Sequence, residues 1–152
     1  MIDASPLCGL LGALVFGAVA TGGGVYETVL IDRSWPQMPE LIQPQRGGIN
    51  RAMFWGPVHT LFEVTLLVTL WLTWDASQAR PWIIAALIVH VATRVWSFVY
   101  FIPLAIKFQN VATASQLPGE KKHQWVKLSR FRVLLGCAVL LMLATAIVKL
   151  AG

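Results

Sequence analysis

Four long apolar segments, separated by shorter polar and charged stretches, make up most of the chain. They cover residues 7–31, 52–74, 81–107 and 132–150. Each is long enough to cross a membrane as a helix, because roughly 17 to 25 residues span about 30 Å of hydrocarbon. The pattern predicts an all-α polytopic membrane protein, a bundle of four transmembrane helices that forms one domain over residues 1–152.

Composition agrees with insertion into a lipid bilayer. Of the 152 residues, 57% are hydrophobic and 12% are charged, and the mean hydropathy is +0.66. Soluble domains usually carry about twice that share of charged residues. A cleaved signal peptide is the rival interpretation of the first segment, because residues 18–20 (Ala-Val-Ala) resemble a cleavage site. No basic region precedes the segment, so we expect a retained helix.

The net charge of +5 is distributed unevenly between the two ends of the segments. Only two basic residues, Arg80 and Lys149, lie at one end. Nine lie in or beside the first and third loops: Arg33, Arg46, Arg51, Lys107, Lys121, Lys122, Lys127, Arg130 and Arg132. This positive-inside pattern predicts a multi-pass protein of the cell (inner) membrane with both termini outside the cytoplasm. It does not indicate a nucleic-acid site.

Both long loops combine polar and apolar residues. The first, residues 32–51, contains Pro36, Pro39 and Pro44, which exclude a regular helix, together with apolar side chains that a solvated linker would not carry. We expect an interfacial segment that caps the bundle. The third loop, residues 108–131, mixes basic residues with Trp125 and Leu128, which favours an interfacial amphipathic turn or helix.

The first apolar segment is rich in small residues at spacings of four. Three pairs illustrate this: Ala13 with Gly17, Ala18 with Gly22, and Ala20 with Gly24. Such spacing allows neighbouring helix backbones to approach closely. A second hypothesis is that the consecutive glycines 22–24 loosen the helix just before Glu27 and leave room for a ligand.

Polar residues within the first three segments are the candidate functional residues, because a bare charge in hydrocarbon costs several kcal/mol. Counted from the cytoplasmic ends at the helical rise, their depths are ~6 Å for Glu27, ~10 Å for His59 and Tyr100, ~16 Å for Glu63, ~20 Å for Arg94 and ~25 Å for His90. Glu63 and Arg94 fall at similar depths on adjacent helices, which predicts an ion pair. A purely structural use of that pair is the alternative. The fourth segment carries almost nothing polar, and we expect it to be structural.

Tyr26 or Glu27, together with His59 and Tyr100, should lie within about one turn of each other in depth. A histidine near carboxylates can act as a general base, with Glu63 or Glu27 to orient it. Arg94 would stabilise an oxyanion in the low-dielectric interior. These residues predict a polar pocket that faces the cytoplasm.

A metal site is a further alternative. Glu27, His59, Glu63 and His90 have ligand chemistry suited to iron, zinc or manganese, but the paired Glu-x-x-His motif of di-iron bundles is absent. Haem with two axial histidines is disfavoured, since the estimated depths of His59 and His90 differ by ~15 Å. No metal or other cofactor is favoured.

The third and fourth segments resemble the small four-helix membrane proteins grouped with fungal and bacterial anthrone oxygenases. The resemblance is carried by a proline near the end of the third segment, Pro103, and by a Trp-x-x-Leu-x-x-x-Arg arrangement formed by Trp125, Leu128 and Arg132. It implies a monooxygenase-type oxidoreductase that uses molecular oxygen as co-substrate and converts an anthrone into a quinone.

Two classes of function are therefore open. The leading one is an oxygenase that acts on a lipophilic aromatic or quinone-like small molecule. The other is a non-enzymatic component, either a small transporter or a subunit of a membrane complex or homo-oligomer, whose buried charges hold the bundle together.

Overall fold

The computed structural model describes residues 5–116 and 118–151, and these are helical with short connecting turns. Four helices are long and apolar enough to cross a membrane: α1 (Ser5–Ser34), α2 (Arg51–Leu72), α3 (Arg80–Gln109) and α4 (Gly119–Ala151). Single 3₁₀ turns at Pro39–Ile42 and Pro44–Arg46 lie in the first loop, and a third at Ala114–Gln116 precedes α4. The prediction of an all-α four-helix membrane bundle is confirmed.

The helices are not packed with equal closeness. α1 packs along α2 and α4, and α4 packs along α3, whereas α2 and α3 touch at far fewer positions. The apolar core lies in the half of the bundle that contains the chain ends, and its fully buried members are Leu10, Ala13, Leu66, Ala79, Ile83, Ala86, Leu143 and Ala146. The contact between α2 and α3 is therefore the loosely packed seam of the bundle.

Glycines allow the close approach of α1 to its neighbours. A Cβ atom at Gly17 would lie 3.0 Å from both Phe62 of α2 and Leu140 of α4, and one at Gly136 would lie 2.8 Å from the Thr21 hydroxyl. A Cβ at Gly22 would have no atom of a neighbouring helix within 4 Å. Some of the small residues therefore allow close helix packing and others do not. The three consecutive glycines do not interrupt α1, which stays α-helical to Tyr26.

Two π-helical turns interrupt the long helices. One spans Glu27–Ile31 in α1, and the other spans Ser97–Phe101 in α3, ending two residues before Pro103. A π turn inserts an extra residue and re-aims the side chains around it, and such turns are frequent at functional sites. The loosening expected at the glycines thus occurs just after them, at Glu27.

The first loop caps one end of the bundle, as expected. Trp35, Ile42 and Gln43 are fully buried, and the Trp35 ring lies 5.0 Å from Phe108 and 5.5 Å from Trp125 between centroids. The Gln43 amide donates to the Val111 carbonyl at 2.8 Å, which ties the first loop to the third. The two long loops therefore form one structural unit at the same end, called the loop end here.

The amphipathic helix expected as one form of the third loop is present, and it is continuous with the fourth apolar segment. α4 begins at Gly119, thirteen residues before the expected boundary at residue 132, and continues unbroken to Ala151. Its first turns bury Trp125 and Ser129 while Lys121 and Lys127 stay exposed. That amphipathic pattern lowers the local hydropathy, so the apolar segment appeared to begin later than the helix does.

Candidate functional site

All four helices line a cavity of about 580 Å³ that lies next to the loop end. Its wall includes both π turns, with Glu27 and Thr28 from α1 and Ser97 and Phe101 from α3. The remaining polar or charged lining residues are Thr21, Asp32, Arg51, Trp55, His59, Thr60, His90, Thr93, Arg94, Gln109, Trp125, Ser129 and Arg132.

The cavity reaches the outer surface at the loosely packed seam between α2 and α3. Gly56 and Thr60 form the α2 side, and Phe98, Ile102 and Ile106 form the α3 side. The three α3 side chains are 57%, 40% and 53% exposed. Because these helices span the membrane, this apolar edge faces lipid, and it is called the lateral opening here.

Glu27 has partners and belongs to the pocket. The Trp55 Nε1–H donates to Glu27 Oε1 at 2.9 Å, and Arg51 Nη1 lies 3.7 Å from Oε2. The Glu27 side chain is 14% exposed. A carboxylate at this position is tolerated because an indole and a guanidinium from α2 replace its water contacts.

The ion pair expected between Glu63 and Arg94 is present. The Arg94 Nε–H donates to Glu63 Oε1 at 2.6 Å. Of these two residues, Arg94 lines the cavity and Glu63 does not. The Glu63 side chain is 39% exposed. His90 Nε2 lies 3.5 Å from the same Glu63 oxygen, outside hydrogen-bond geometry.

His59 stacks on Trp55, one helical turn away on the same face of α2. The ring centroids are 5.1 Å apart with an interplanar angle of 20°. Its Nδ1 atom is buried and has no hydrogen-bond partner among the described residues. Neither Glu63 nor Glu27 bonds to His59, since both carboxylates are taken by other donors. Orientation of this histidine therefore comes from aromatic stacking rather than from a carboxylate.

His59 and His90 lie closer than their depth estimates suggested. Their ring centroids are 5.9 Å apart, and the His90 ring contacts Phe62 at 4.7 Å. His90 is 19 residues from the end of α3 at Gln109, whereas Phe62 is 11 residues from the start of α2 at Arg51. α3 thus extends farther toward the loop end than α2 does. The depths of His59 and His90 were counted from helix ends taken to be at the same level, so their estimated difference was wrong.

Tyr100 does not line the cavity. Its ring packs 5.1 Å from that of Phe101, and its buried hydroxyl has no partner within residues 5–116 and 118–151. The π turn at Ser97–Phe101 changes which side chains of α3 face inward, and it directs Phe101 to the cavity. The expectation that Tyr100 joins His59 in the pocket is not met.

The fourth helix supplies a line of cavity residues that the sequence analysis missed. Trp125, Ser129, Arg132, Gly136 and Val139 follow one another at spacings of four and three, and all line the cavity. This is the spacing of one face of a helix. This spacing is visible in the sequence, but it indicates one helical face only if the helix is taken to begin near Gly119. The expectation that the fourth helix contributes almost nothing polar was wrong, because α4 places Trp125, Ser129 and Arg132 on the cavity wall.

Arg132 is the least committed cation in the cavity. Its guanidinium carbon lies 3.8 Å from the Phe101 ring centroid, and Nη1 donates to the Ser97 hydroxyl at 3.2 Å. The salt bridges of the described chain do not include Arg132, and its buried Nε has no partner there. Asp32 and Glu27 lie near enough to act on it electrostatically.

Hydrogen-bond donors without a protein partner are concentrated around this cavity. Within the described residues, the unpartnered buried donors include Arg51 Nη2, Trp125 Nε1 and Arg132 Nε, with the Ser129 hydroxyl beside them. The only such carboxylate oxygen on the wall is Oδ2 of Asp32, whose Oδ1 accepts from Trp35 at 3.1 Å. Three arginines and two carboxylates line the cavity, so its wall favours ligands that offer oxygen acceptors.

The residues considered as metal ligands, Glu27, His59, Glu63 and His90, do not form one metal-binding group among the described residues. In the described part of the chain, no three His, Cys, Asp or Glu side chains are arranged to hold a metal ion. Glu27 pairs with Trp55 and Arg51 instead.

Comparisons of the chain with family models, with curated proteins and with solved structures found no match. The class that the fold defines is a four-helix membrane protein with a polar internal cavity. The resemblance to anthrone oxygenases has no support from these comparisons and stays a prediction.

Proposed function

We propose that the protein is a membrane-embedded oxidoreductase of the oxygenase type, acting on a lipophilic aromatic substrate with an acidic C–H bond. One observation carries the proposal. In a cavity open to lipid, the uncommitted Nδ1 of His59 shares the wall with the guanidinium of Arg132, which forms no salt bridge with a carboxylate of residues 5–116 and 118–151.

The substrate enters from the bilayer through the lateral opening between α2 and α3. Apolar aromatic molecules partition into lipid, and Phe98, Ile102 and Ile106 present a matching surface there. A route through the membrane fits the apolar edge better than a route through the loop end, where the first loop buries Trp35 and Ile42.

His59 serves as the base in this proposal. A neutral imidazole nitrogen without a hydrogen-bond partner can accept the proton that the substrate carbon loses. Stacking on Trp55 orients the His59 ring, which is the role that was expected of a carboxylate.

Arg132 is assigned to stabilise the enolate oxygen that forms when the proton leaves. Charge-assisted hydrogen bonds in a dry site stabilise a developing oxyanion strongly. Arg94 was the first candidate for this role, but its Nε donates to Glu63. Arg132 has an Nε without a partner in the described part of the chain, and its guanidinium lies against Phe101.

The reaction then requires molecular oxygen as the oxidant. The carbanion formed at a CH₂ carbon adds to one oxygen atom of O₂, and loss of the second hydrogen leaves a C=O group. The other oxygen atom departs as water together with the two hydrogens. The carbon gives up four electrons and O₂ accepts four, so the conversion of an anthrone to a quinone is balanced.

Oxygen uptake by the purified protein in lipid nanodiscs, with anthrone as substrate, tests this function. His59→Ala should lower turnover at least about a hundredfold, as expected for loss of a general base. His123→Ala is the matched control, because that histidine is exposed in the first turns of α4 and does not line the cavity. Uptake equal to that of empty nanodiscs, or an unchanged rate in His59→Ala, would overturn the proposal.

A non-enzymatic role is the second candidate, and one observation favours it. The Glu63–Arg94 ion pair joins α2 to α3, the pair of adjacent helices with few other contacts. Under this proposal the buried charges hold the bundle together inside a larger membrane assembly, and anthrone would not be consumed above the lipid control.

A further inference from the structure

We propose that the loop end of the cavity is a subsite for a second, anionic oxygen group of the ligand, formed by Arg51, Trp125 and Ser129. The inference rests on the proposed function, because it specifies the substrate class of the same cavity. The ligand would be an aromatic carboxylate or phenolate whose ionised oxygen lies apart from the carbon that reacts.

The three residues are almost fully enclosed and still have unused donors. Arg51, Trp125 and Ser129 are 9%, 2% and 4% exposed. Arg51 Nη2, Trp125 Nε1 and the Ser129 hydroxyl have no hydrogen-bond partner in the described segments, and all three residues line the cavity. Native proteins pair nearly all buried polar groups, so three unused donors at one wall indicate a ligand contact.

A chain of aromatic contacts places these donors next to the proposed reaction site. The Arg51 guanidinium carbon lies 5.1 Å from the Trp125 ring centroid, and that ring lies 5.6 Å from Phe101. Phe101 in turn carries the Arg132 guanidinium at 3.8 Å. The subsite therefore adjoins the oxyanion position without coinciding with it.

The chemistry of the donors selects an anion over a neutral acceptor. A guanidinium and an indole N–H can only donate hydrogen bonds, and the guanidinium is always charged. Glu27 lies 3.7 Å from Arg51 Nη1, which leaves Nη2 available to an incoming group. Hydrogen bonds between ionised partners are about twice as strong as neutral ones.

The lateral opening determines the other part of the ligand. Its apolar edge suits a flat hydrocarbon body, whereas the polar groups lie inside the wall. A headgroup of an anionic lipid carries the same oxygen chemistry on a different body. We favour the aromatic ligand because rings line the path from the subsite to the reaction site, namely Trp125, Phe101 and Trp55.

Direct binding tests the subsite separately from turnover. Anthracene-2-carboxylate and anthracene, an uncharged counterpart without acceptor oxygens, are titrated into protein in phosphatidylcholine nanodiscs, with protein-free nanodiscs subtracted. Trp125→Phe and Ser129→Ala each remove one donor and keep most of the packing. Trp96→Phe is the matched control, because Trp96 also packs against Phe101, at 5.2 Å, but does not line the cavity.

The carboxylate should bind the native chain at least about tenfold more tightly than anthracene, since a hydrogen bond to a charged group corresponds to that factor or more. Trp125→Phe and Ser129→Ala should remove most of this difference and leave anthracene binding unchanged, whereas Trp96→Phe should retain it. Equal carboxylate affinity in all four chains would overturn the subsite.

Two further results are decisive. Phosphatidylglycerol added to the nanodiscs could abolish carboxylate binding by the native chain alone. That result would assign the donors to a lipid headgroup and overturn the aromatic ligand. Selective carboxylate binding without any oxygen uptake would support the subsite while refuting the oxygenase, so the two failures are distinguishable.

Discussion

The guanidinium carbon of Arg132 lies over the Phe101 ring, 3.8 Å from its centroid, and Nη1 donates a hydrogen bond to the Ser97 hydroxyl. Both α3 residues belong to a π turn, so an irregularity in one helix positions a cation carried by another. A guanidinium within a membrane is costly when it has no ion-pair partner, and a charged group there is a candidate functional site.

Replacement of Arg132 should separate activity from stability. Arg132→Gln removes the cation but leaves no carboxylate behind without its salt bridge, because Arg132 makes none in the described structure. We expect the turnover of anthrone to fall about a hundredfold, as for the loss of an oxyanion-stabilising donor, with a near-native melting temperature. Oxygen uptake and a thermal melt check this. A large loss of stability with full activity in the surviving fraction would contradict the assignment.

The Glu63–Arg94 pair should contribute to stability instead. Glu63→Gln and Arg94→Gln are each expected to weaken the contact between α2 and α3, with a coupling free energy on the order of 1 kcal/mol, since interhelical polar contacts in membranes are modest. Unfolding in mixed micelles, measured for both single variants and the double variant, gives the coupling. A value indistinguishable from zero would show that the pair does not hold the helices together.

Glycine substitutions should follow local space rather than the sequence pattern. Gly17→Leu places a side chain against Phe62 and Leu140, where even a Cβ would lie 3.0 Å away. We expect a destabilisation of about 1 to 3 kcal/mol from overpacking. Gly22→Leu is the control, because no atom lies within 4 Å of a Cβ there, and its effect should stay within about 0.5 kcal/mol. Equal losses at the two positions would mean that the helices are not packed as described.

The orientation in the membrane is also testable. The positive-inside pattern predicts that the loop end faces the cytoplasm. Ser115 and Ser77 are exposed serines in the third and second loops. In a chain with Cys8→Ala and Cys137→Ala, a membrane-impermeant maleimide should label Ser77→Cys on intact cells and label Ser115→Cys only after permeabilisation. The reverse pattern would invert the topology.

The helical architecture was predictable because hydropathy and length report directly on membrane insertion. The four helices and the capping first loop appear as expected. The Glu63–Arg94 pair does too, because opposite charges at similar depth on neighbouring helices stabilise each other. Depth counting was reliable only where helix ends are level. It therefore placed His59 and His90 far apart, although their rings are 5.9 Å from each other.

The missed features share one physical cause, which is irregularity that leaves little trace in a hydropathy profile. The π turns at Glu27–Ile31 and Ser97–Phe101 re-aim side chains without changing composition, so Tyr100 was placed in the cavity in error. The extension of α4 back to Gly119 is amphipathic and only moderately apolar. Its cavity-lining residues, Trp125 and Ser129, were therefore assigned to a loop.

Base-assisted oxygenation at His59 is the reaction proposed for this cavity. Its most direct test is the rate at which nanodisc-embedded protein converts anthrone to quinone under heavy-isotope molecular oxygen, measured for the native chain, for His59→Ala and for empty nanodiscs. We expect the native chain to form a quinone that carries one labelled oxygen atom, far faster than either control. Equal rates in all three samples, or a quinone whose new oxygen comes from water, would contradict the claim.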